Sequence, residues 1–193
     1  MENISELALP YDMRLEDAEI QLVEAAKANP ANFAPLYQCY AMRVYRYLRT
    51  RASSDEDAAD LTQQVFLQVL EALPDYRARG IPFAAWLFRI TRHVAIDHHR
   101  RHKNTQHWDL LPDATQSPSE QDPEAVVLKH ENLTHLRGLL ARLDVQKREL
   151  LALRFAAGLS TVEIAQVVGK SHASVKKQIT RIIQSLKEQY RHV

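Results

Sequence analysis

The stretch Phe83–Arg101, FAAWLFRITRHVAIDHHRR, restricts the fold more than any other. Phe83, Leu87, Ile90 and Val94 fall at i, i+4, i+7 and i+11, which predicts one apolar helix face. Ala85, Arg89, Arg92, Ile96 and Arg100 lie on the far side. Phe88 and Ile96 place apolar surface away from the main stripe, so this helix needs neighbours on more than one side. Trp86 and His93 stand on the border, seven residues apart and one above the other. Cations flanked by rings suit single-stranded nucleic acid, where charge holds phosphates and rings stack on bases. A core helix with a solvated cationic face produces the same pattern.

Helical spacing recurs along the chain and strand-type alternation is scarce, so an all-α protein is expected. A first helix is predicted from about Asp17 to Ala28, stopped at Asn29-Pro30. A second follows over Phe33–Arg51, with Leu36, Tyr40 and Val44 inward. Ser53 and Glu56 have capping-box spacing for a third. That helix turns Ala58, Leu61, Val65, Val69 and Ala72 inward, leaves Asp57, Asp60 and Gln64 outward, and ends at Pro74. The loop 75–82 carries Arg77 and Arg79 between two prolines.

A second domain begins near Val126. Leu133, Leu136, Leu139, Leu140 and Leu143 form one apolar face. Asp144 caps the next helix, which carries Leu150, Leu151, Leu153 and Phe155. Ser160 and Glu163 have capping-box spacing again, Gly169 supplies a turn, and Ser171 opens the last helix. This is helix-turn-helix patterning, with Ala165 at the crossing and Val168, Val175 and Ile179 sealing the angle. Ser174, Lys177, Arg181 and Gln184 then point outward, flanked by Lys176 and Thr180. The helix N-terminus at Ser171 presents free N–H groups to phosphate. A plain helical hairpin is the alternative.

Charge is distributed unevenly. The formal net charge is only +1. Asn104–Glu124 contains Pro112, Pro118, Pro123 and acidic residues but no Lys or Arg, which marks a linker. The segment after it is basic. About 20 extended residues reach up to about 70 Å, roughly two turns of duplex. Trp108, Leu110 and Leu111 are unusual in a solvated linker. The domains expected are a tail over 1–16, a helical bundle over 17–103, a linker over 104–125 and a helix-turn-helix domain over 126–193.

The chain has a single cysteine, Cys39, so no intrachain disulfide forms. The N-terminus lacks an apolar signal core, and no apolar run approaches membrane-spanning length. A cytoplasmic protein with no membrane insertion is expected. No glycine-rich phosphate loop or nucleophile–base constellation can be read, so neither catalysis nor a cofactor is expected. His98 and His102 have i, i+4 metal-capable spacing, but no cysteine and no carboxylate except Asp97 completes a site.

Two runs carry a family resemblance. Asp60-Leu61-Thr62-Gln63-Gln64-Val65-Phe66-Leu67, then Ala72-Leu73-Pro74 and Phe83–Asp97, resemble region 2 of bacterial sigma factors. Leu159–Leu186 resembles region 4. With only a short tail ahead and a linker between, the layout is similar to the extracytoplasmic-function (ECF) class. The resemblance implies a non-enzymatic subunit that binds core RNA polymerase, directs it to promoters and stabilises melted DNA. It implies that Asp57, Asp60, Leu61, Gln64 and Phe66 dock on the β′ clamp helices. Arg77, Arg79, Trp86, Arg89, Arg92, His93, Arg100 and Arg101 would hold the single-stranded −10 element. Ser171, His172, Ser174, Lys176, Lys177, Thr180 and Arg181 would read the −35 duplex, with the surrounding domain on the β flap. An anti-sigma factor is an expected type of partner. Four positions depart from the family pattern: Gln64 for a usual Glu, His93 for a usual Asn, and Gln178 and Ile183 for common basic residues. The rival readings are a stand-alone helix-turn-helix regulator and, more remotely, a metal enzyme built on the histidines.

Overall fold

The computed structural model describes residues 11–78, 80–101 and 123–191, with side chains described from 18 and, after the linker, from 131. Among them every regular element is helical. The first unit comprises α1 (Tyr11–Ala28), α2 (Ala34–Arg49), α3 (Asp55–Ala72) and α4 (Phe83–Arg101). The second comprises α5 (Pro123–Ala141), α6 (Val145–Leu151), α7 (Thr161–Val168) and α8 (His172–Arg191).

The breaks follow local chemistry. Asn29 Oδ1 accepts the Ala31 N–H at 2.9 Å and starts a short 3₁₀ turn, Pro30–Phe33, between α1 and α2. The cap of α3 is Ser54, whose hydroxyl accepts the Asp57 N–H at 3.0 Å, so the start lies one residue beyond the Ser53 cap expected from the sequence. Ser53 instead donates its hydroxyl hydrogen bond to the Asp57 carboxylate. A second 3₁₀ turn, Leu73–Asp75, ends α3 around Pro74. The Tyr76 hydroxyl donates to the Ile81 carbonyl at 2.8 Å and ties the loop before α4 into a compact turn. Burial pushes that hydroxyl up to about 12, so it stays protonated and remains a donor.

α4 lies against α1, α2, α3 and α7, as its two-sided apolar pattern requires. Leu87, Phe88 and Ala85 are fully buried beside Val44, Tyr47 and Leu48 of α2 and Val65 and Val69 of α3. The Tyr47 and Phe88 rings meet edge to face at 5.7 Å. α1 extends N-terminally to Tyr11, beyond the Asp17 start read from the sequence.

In the second unit Asp144 caps α6 by accepting the Lys147 N–H at 2.9 Å. α6 runs into a π-helical turn, Ala152–Ala156, where the Ala157 N–H reaches back to the Ala152 carbonyl at 3.0 Å. The extra residue per turn shifts the register. Leu153 stays buried while Phe155 turns out to solvent, 65% exposed. Gly169 ends α7 in the left-handed region at φ 69, where a side chain would be strained.

The sequence suggests two domains held apart by an acidic linker. The expected linker lies outside the described residues up to Asp122, but the two units themselves are packed together. One hydrophobic core runs through both, from Val44 and Phe88 to Leu153, Leu159, Ile164 and Val175.

Candidate nucleic-acid interface

The basic face of α4 lies along the seam between the units. Arg89 donates from Nε at 3.0 Å and Nη2 at 2.7 Å to one acceptor, the Gln166 backbone carbonyl on α7. The Gln166 side chain returns a hydrogen bond to the Gly80 carbonyl at 3.0 Å. Arg92 Nε lies 3.3 Å from Glu149 Oε1, off the line of a hydrogen bond, so this is a charge contact. Glu149, on α6, is the hub of the seam. Its Oε1 accepts the Tyr47 hydroxyl at 2.9 Å and its Oε2 accepts Arg51 Nη2. Burial holds the Tyr47 hydroxyl far above its ordinary value, so it acts as a neutral donor to the carboxylate. Arg51 also lies over the Tyr47 ring, 3.8 Å from its centre, a close cation–π contact.

Arg43 crosses the same seam. Its Nε donates to the Ala157 carbonyl at 2.8 Å and its Nη2 to the Gly158 carbonyl at 3.3 Å. Burial lowers its guanidinium from the ordinary value. Nothing in the local sequence around Arg43 or Arg51 marks them for this role. Their partners lie about a hundred residues away, beyond the reach of periodicity.

Other α4 candidates are less engaged with the second unit. His93 is 74% exposed and pairs with Asp97 at 3.3 Å; Arg100 reaches the same carboxylate at 3.5 Å. Asp97 therefore orders the exposed edge of the helix. Arg101 is exposed. Trp86 is half-buried, its ring 4.9 Å from Tyr76 and 5.4 Å from Phe83. Arg77 is exposed and donates to the Pro74 and Tyr76 carbonyls at 2.7 and 3.0 Å. Arg79 and His102 lie outside the described residues.

The last helix presents a different surface. The predicted capping box is complete: the Glu163 N–H donates to the Ser160 hydroxyl at 3.2 Å and the Ser160 N–H to the Glu163 carboxylate at 2.7 Å. Val175, Ile179 and Ile182 are buried on the inner side of α8. Lys176, Lys177, Thr180 and Arg181 are exposed. Ser171 accepts the Ser174 N–H at 3.3 Å, and His172 Nε2 lies 2.9 Å from the Thr161 hydroxyl. The Ser174 hydroxyl accepts from Gln178 at 2.9 Å, which draws that serine into the helix surface.

Residues 36–105 match Sigma-70 region 2, and residues 134–186 match Sigma-70 region 4. The ECF RNA polymerase sigma factor SigD of Mycobacterium tuberculosis is 30% identical over 190 residues, covering 95% of this chain and 89% of SigD. The chain belongs to the ECF sigma factors. The ECF sigma factor BldN of Streptomyces coelicolor is 33% identical over 168 residues, 86% of this chain, which spans 64% of BldN's length. Among solved structures, CnrH in complex with the cytosolic domain of CnrY aligns at 25% identity with a TM-score of 0.65, covering 91% of this chain and 98% of CnrH. An ECF sigma factor is a non-enzymatic initiation factor that directs RNA polymerase to promoters. The reading as a stand-alone regulator therefore gives way.

In this sigma factor the α3 surface assigned to polymerase is partly internal. Leu61 and Phe66 are buried, each 6% exposed. The Phe66 ring packs edge-on against Phe33 at 6.2 Å and Tyr37 at 4.7 Å. Asp60 and Gln64 are exposed, Asp57 is partly so, and Leu67 stands out at 63%. Thr62, Phe66, Val69 and Leu73 make a second buried row beside the one containing Leu61 and Val65. A wider apolar stripe was the signal that would have placed Phe66 inward. Among the described residues, no helix is long and apolar enough to cross a membrane.

Proposed function

We propose that this ECF sigma factor divides promoter recognition between two faces. Residues 17–103 form the unit that binds core polymerase and melted DNA. Arg77, Arg79, Trp86, Arg89, Arg92, His93, Arg100 and Arg101 hold the unwound −10 strand, with Trp86 at its edge. Residues 126–193 form the unit that reads the −35 duplex through Lys176, Lys177, Thr180 and Arg181, with Ser171, His172 and Ser174 at the helix start. The linker, 104–125, connects the two sites on one promoter. The observation that carries this reading is the row of exposed cations on α8, set on a buried Val175–Ile179–Ile182 stripe.

Core polymerase docks on α3 through Asp57, Asp60, Gln64 and the exposed Leu67, with Leu61 and Phe66 shaping the surface from beneath. The second unit touches the β flap. The chain acts in the cytoplasm, where polymerase is. An anti-sigma factor is a further partner. A groove of about 970 Å³ between the units is lined by Leu140, Phe155, Leu186, Arg46, Lys187 and Arg191 among others, which suits an acidic amphipathic helix. Run-off transcription with purified core polymerase tests the whole reading. Promoter-specific product is expected only when the chain is added, and its absence with a promoter-bound holoenzyme would contradict it.

A further inference from the structure

A cavity of about 450 Å³ opens beside the C-terminal half of α4, a volume within the range of small-ligand sites. Its charged lining is unbalanced. Arg51, Arg92, Arg148 and Lys170 supply four cations, and Glu149 supplies one carboxylate. The four cations come from different parts of the fold: the turn after α2, α4, α6 and the turn after α7. Glu149 is already engaged. It accepts the Tyr47 hydroxyl at 2.9 Å, pairs with Arg51 and lies 3.3 Å from Arg92. Surplus positive charge therefore gathers where the Arg92 side chain, 41% exposed, and the exposed Lys170 reach the cavity.

Another part of the lining is apolar and open to solvent. Ile96 and Val145 border the same cavity and are 49% and 58% exposed. Cations beside exposed branched aliphatic side chains suit a ligand with several negative charges at one end and an apolar ring at the other. Phosphates take charge-assisted hydrogen bonds from Arg and Lys, and a ring covers the aliphatic surface. We infer that this cavity binds one nucleoside polyphosphate, its phosphates toward Arg92, Arg148 and Lys170 and its base against Ile96 and Val145. A nucleic-acid strand fits less well. Strand sites of about 4–16 nucleotides follow extended grooves, whereas this volume is that of a single small ligand. The site goes beyond promoter recognition. Arg92 alone is shared with the −10 set proposed above, and the variants below leave it in place.

The test uses the full chain without polymerase, in buffer free of divalent metal, with ADP and pyrophosphate as probes. ADP should bind in isothermal titration calorimetry and raise the melting temperature with concentration, as a ligand of the folded chain does by mass action. Lys170→Glu should weaken ADP and pyrophosphate alike, by about 10-fold or more, for the loss of one charge-assisted contact. Ile96→Ser with Val145→Ser should weaken ADP about 5- to 10-fold, for the lost apolar contact, and leave pyrophosphate unchanged. All three side chains are exposed, so helicity by circular dichroism should be retained; Lys170→Ala replaces Lys170→Glu if it is not. Neither heat nor a melting shift with ADP overturns the site. So does ADP binding that ignores both sets of variants, which places the ligand elsewhere. Equal losses for the two probes in the Ile96 and Val145 variant remove the base from the apolar wall and overturn the nucleotide assignment. Oligo-dT bound more tightly than ADP, with the same dependence on Lys170, would make the cavity part of a strand path and overturn it as well.

Discussion

The two cationic faces of this sigma factor differ in what surrounds them. On α8, Lys176, Lys177 and Arg181 face solvent above a sealed apolar stripe. On α4, Arg89 is exposed and the Arg92 side chain is 41% exposed, but both already have oxygen partners on the second unit. Both faces look alike in composition. The difference teaches that a basic helix face becomes a binding surface only when nothing in the same chain satisfies it first. A guanidinium with a partner must exchange that partner for phosphate, so the net gain is smaller than for a solvated one.

The largest effect should appear at Glu149. Removing one member of a buried pair leaves an uncompensated charge, which costs ~3–5 kcal/mol. Glu149→Ala should lower the melting temperature of the whole chain in calorimetry. Lys177→Ala on the open face should stay within about 0.5 kcal/mol of the parent. Equal melting temperatures for the two variants would erase the contrast between the faces.

Trp86 comes next. Its half-buried ring, packed on Tyr76 and Phe83, predicts a stability loss for Trp86→Ala below the ~3–5 kcal/mol of a fully buried aromatic. Loss of one stacked base adds ~1–3 kcal/mol to the cost of open-complex formation. Thermal melting paired with permanganate reactivity of promoter thymines separates the two. A full core-sized loss with normal promoter opening would make Trp86 structural only.

On the open face, Lys177→Ala and Arg181→Ala should weaken duplex binding. A lost base contact costs ~1–3 kcal/mol and relaxes sequence preference, while a lost phosphate contact flattens the salt slope by about one unit. Titrations at several salt concentrations distinguish these outcomes. If neither variant binds less tightly, another face of α8 enters the groove.

The smallest effect is acid sensitivity. Hydrogen bonds from Arg49 and Tyr45 hold the Asp55 carboxyl below its ordinary value, and the Lys147 N–H does the same for Asp144. Both folded values lie below the unfolded one, so their contribution is fully present above the unfolded value of 3.8 and fades as pH falls beneath it. Both groups are exposed, so only a shallow decline of melting temperature below about pH 4 is expected. Asp144→Asn should flatten part of that decline.

Much of the fold could be read locally. The Ser160–Glu163 capping box, the Gly169 turn, the Asp144 cap and the breaks at Asn29-Pro30 and Pro74 all rest on interactions within a few residues. Such signals survive without knowledge of the rest of the chain. Some local details differ from the sequence pattern. Ser54 rather than Ser53 caps α3, because adjacent serines offer the same hydroxyl and only the backbone angle chooses between them. The π turn at 152–156 turned Phe155 outward, which a strict 3.6-residue period does not anticipate. The α8 face was legible because its own apolar stripe orients it. The condition of the α4 face was not, because Arg89 and Arg92 are partnered by a backbone carbonyl and a carboxylate far along the chain. Any residue could present that carbonyl, so no residue type announces it. The inward turn of Phe66 differs, because the wider apolar stripe of α3 signals it locally even though its partners Phe33 and Tyr37 lie elsewhere in the chain.

The account stands most directly on one binding measurement made twice on the same free chain. Fluorescence anisotropy with a −35 duplex and with an oligo-dT strand should give salt-dependent duplex binding and little strand binding, and adding core polymerase should restore strand engagement at the promoter. Tight strand binding by the free chain, with the two units still packed together, would contradict it.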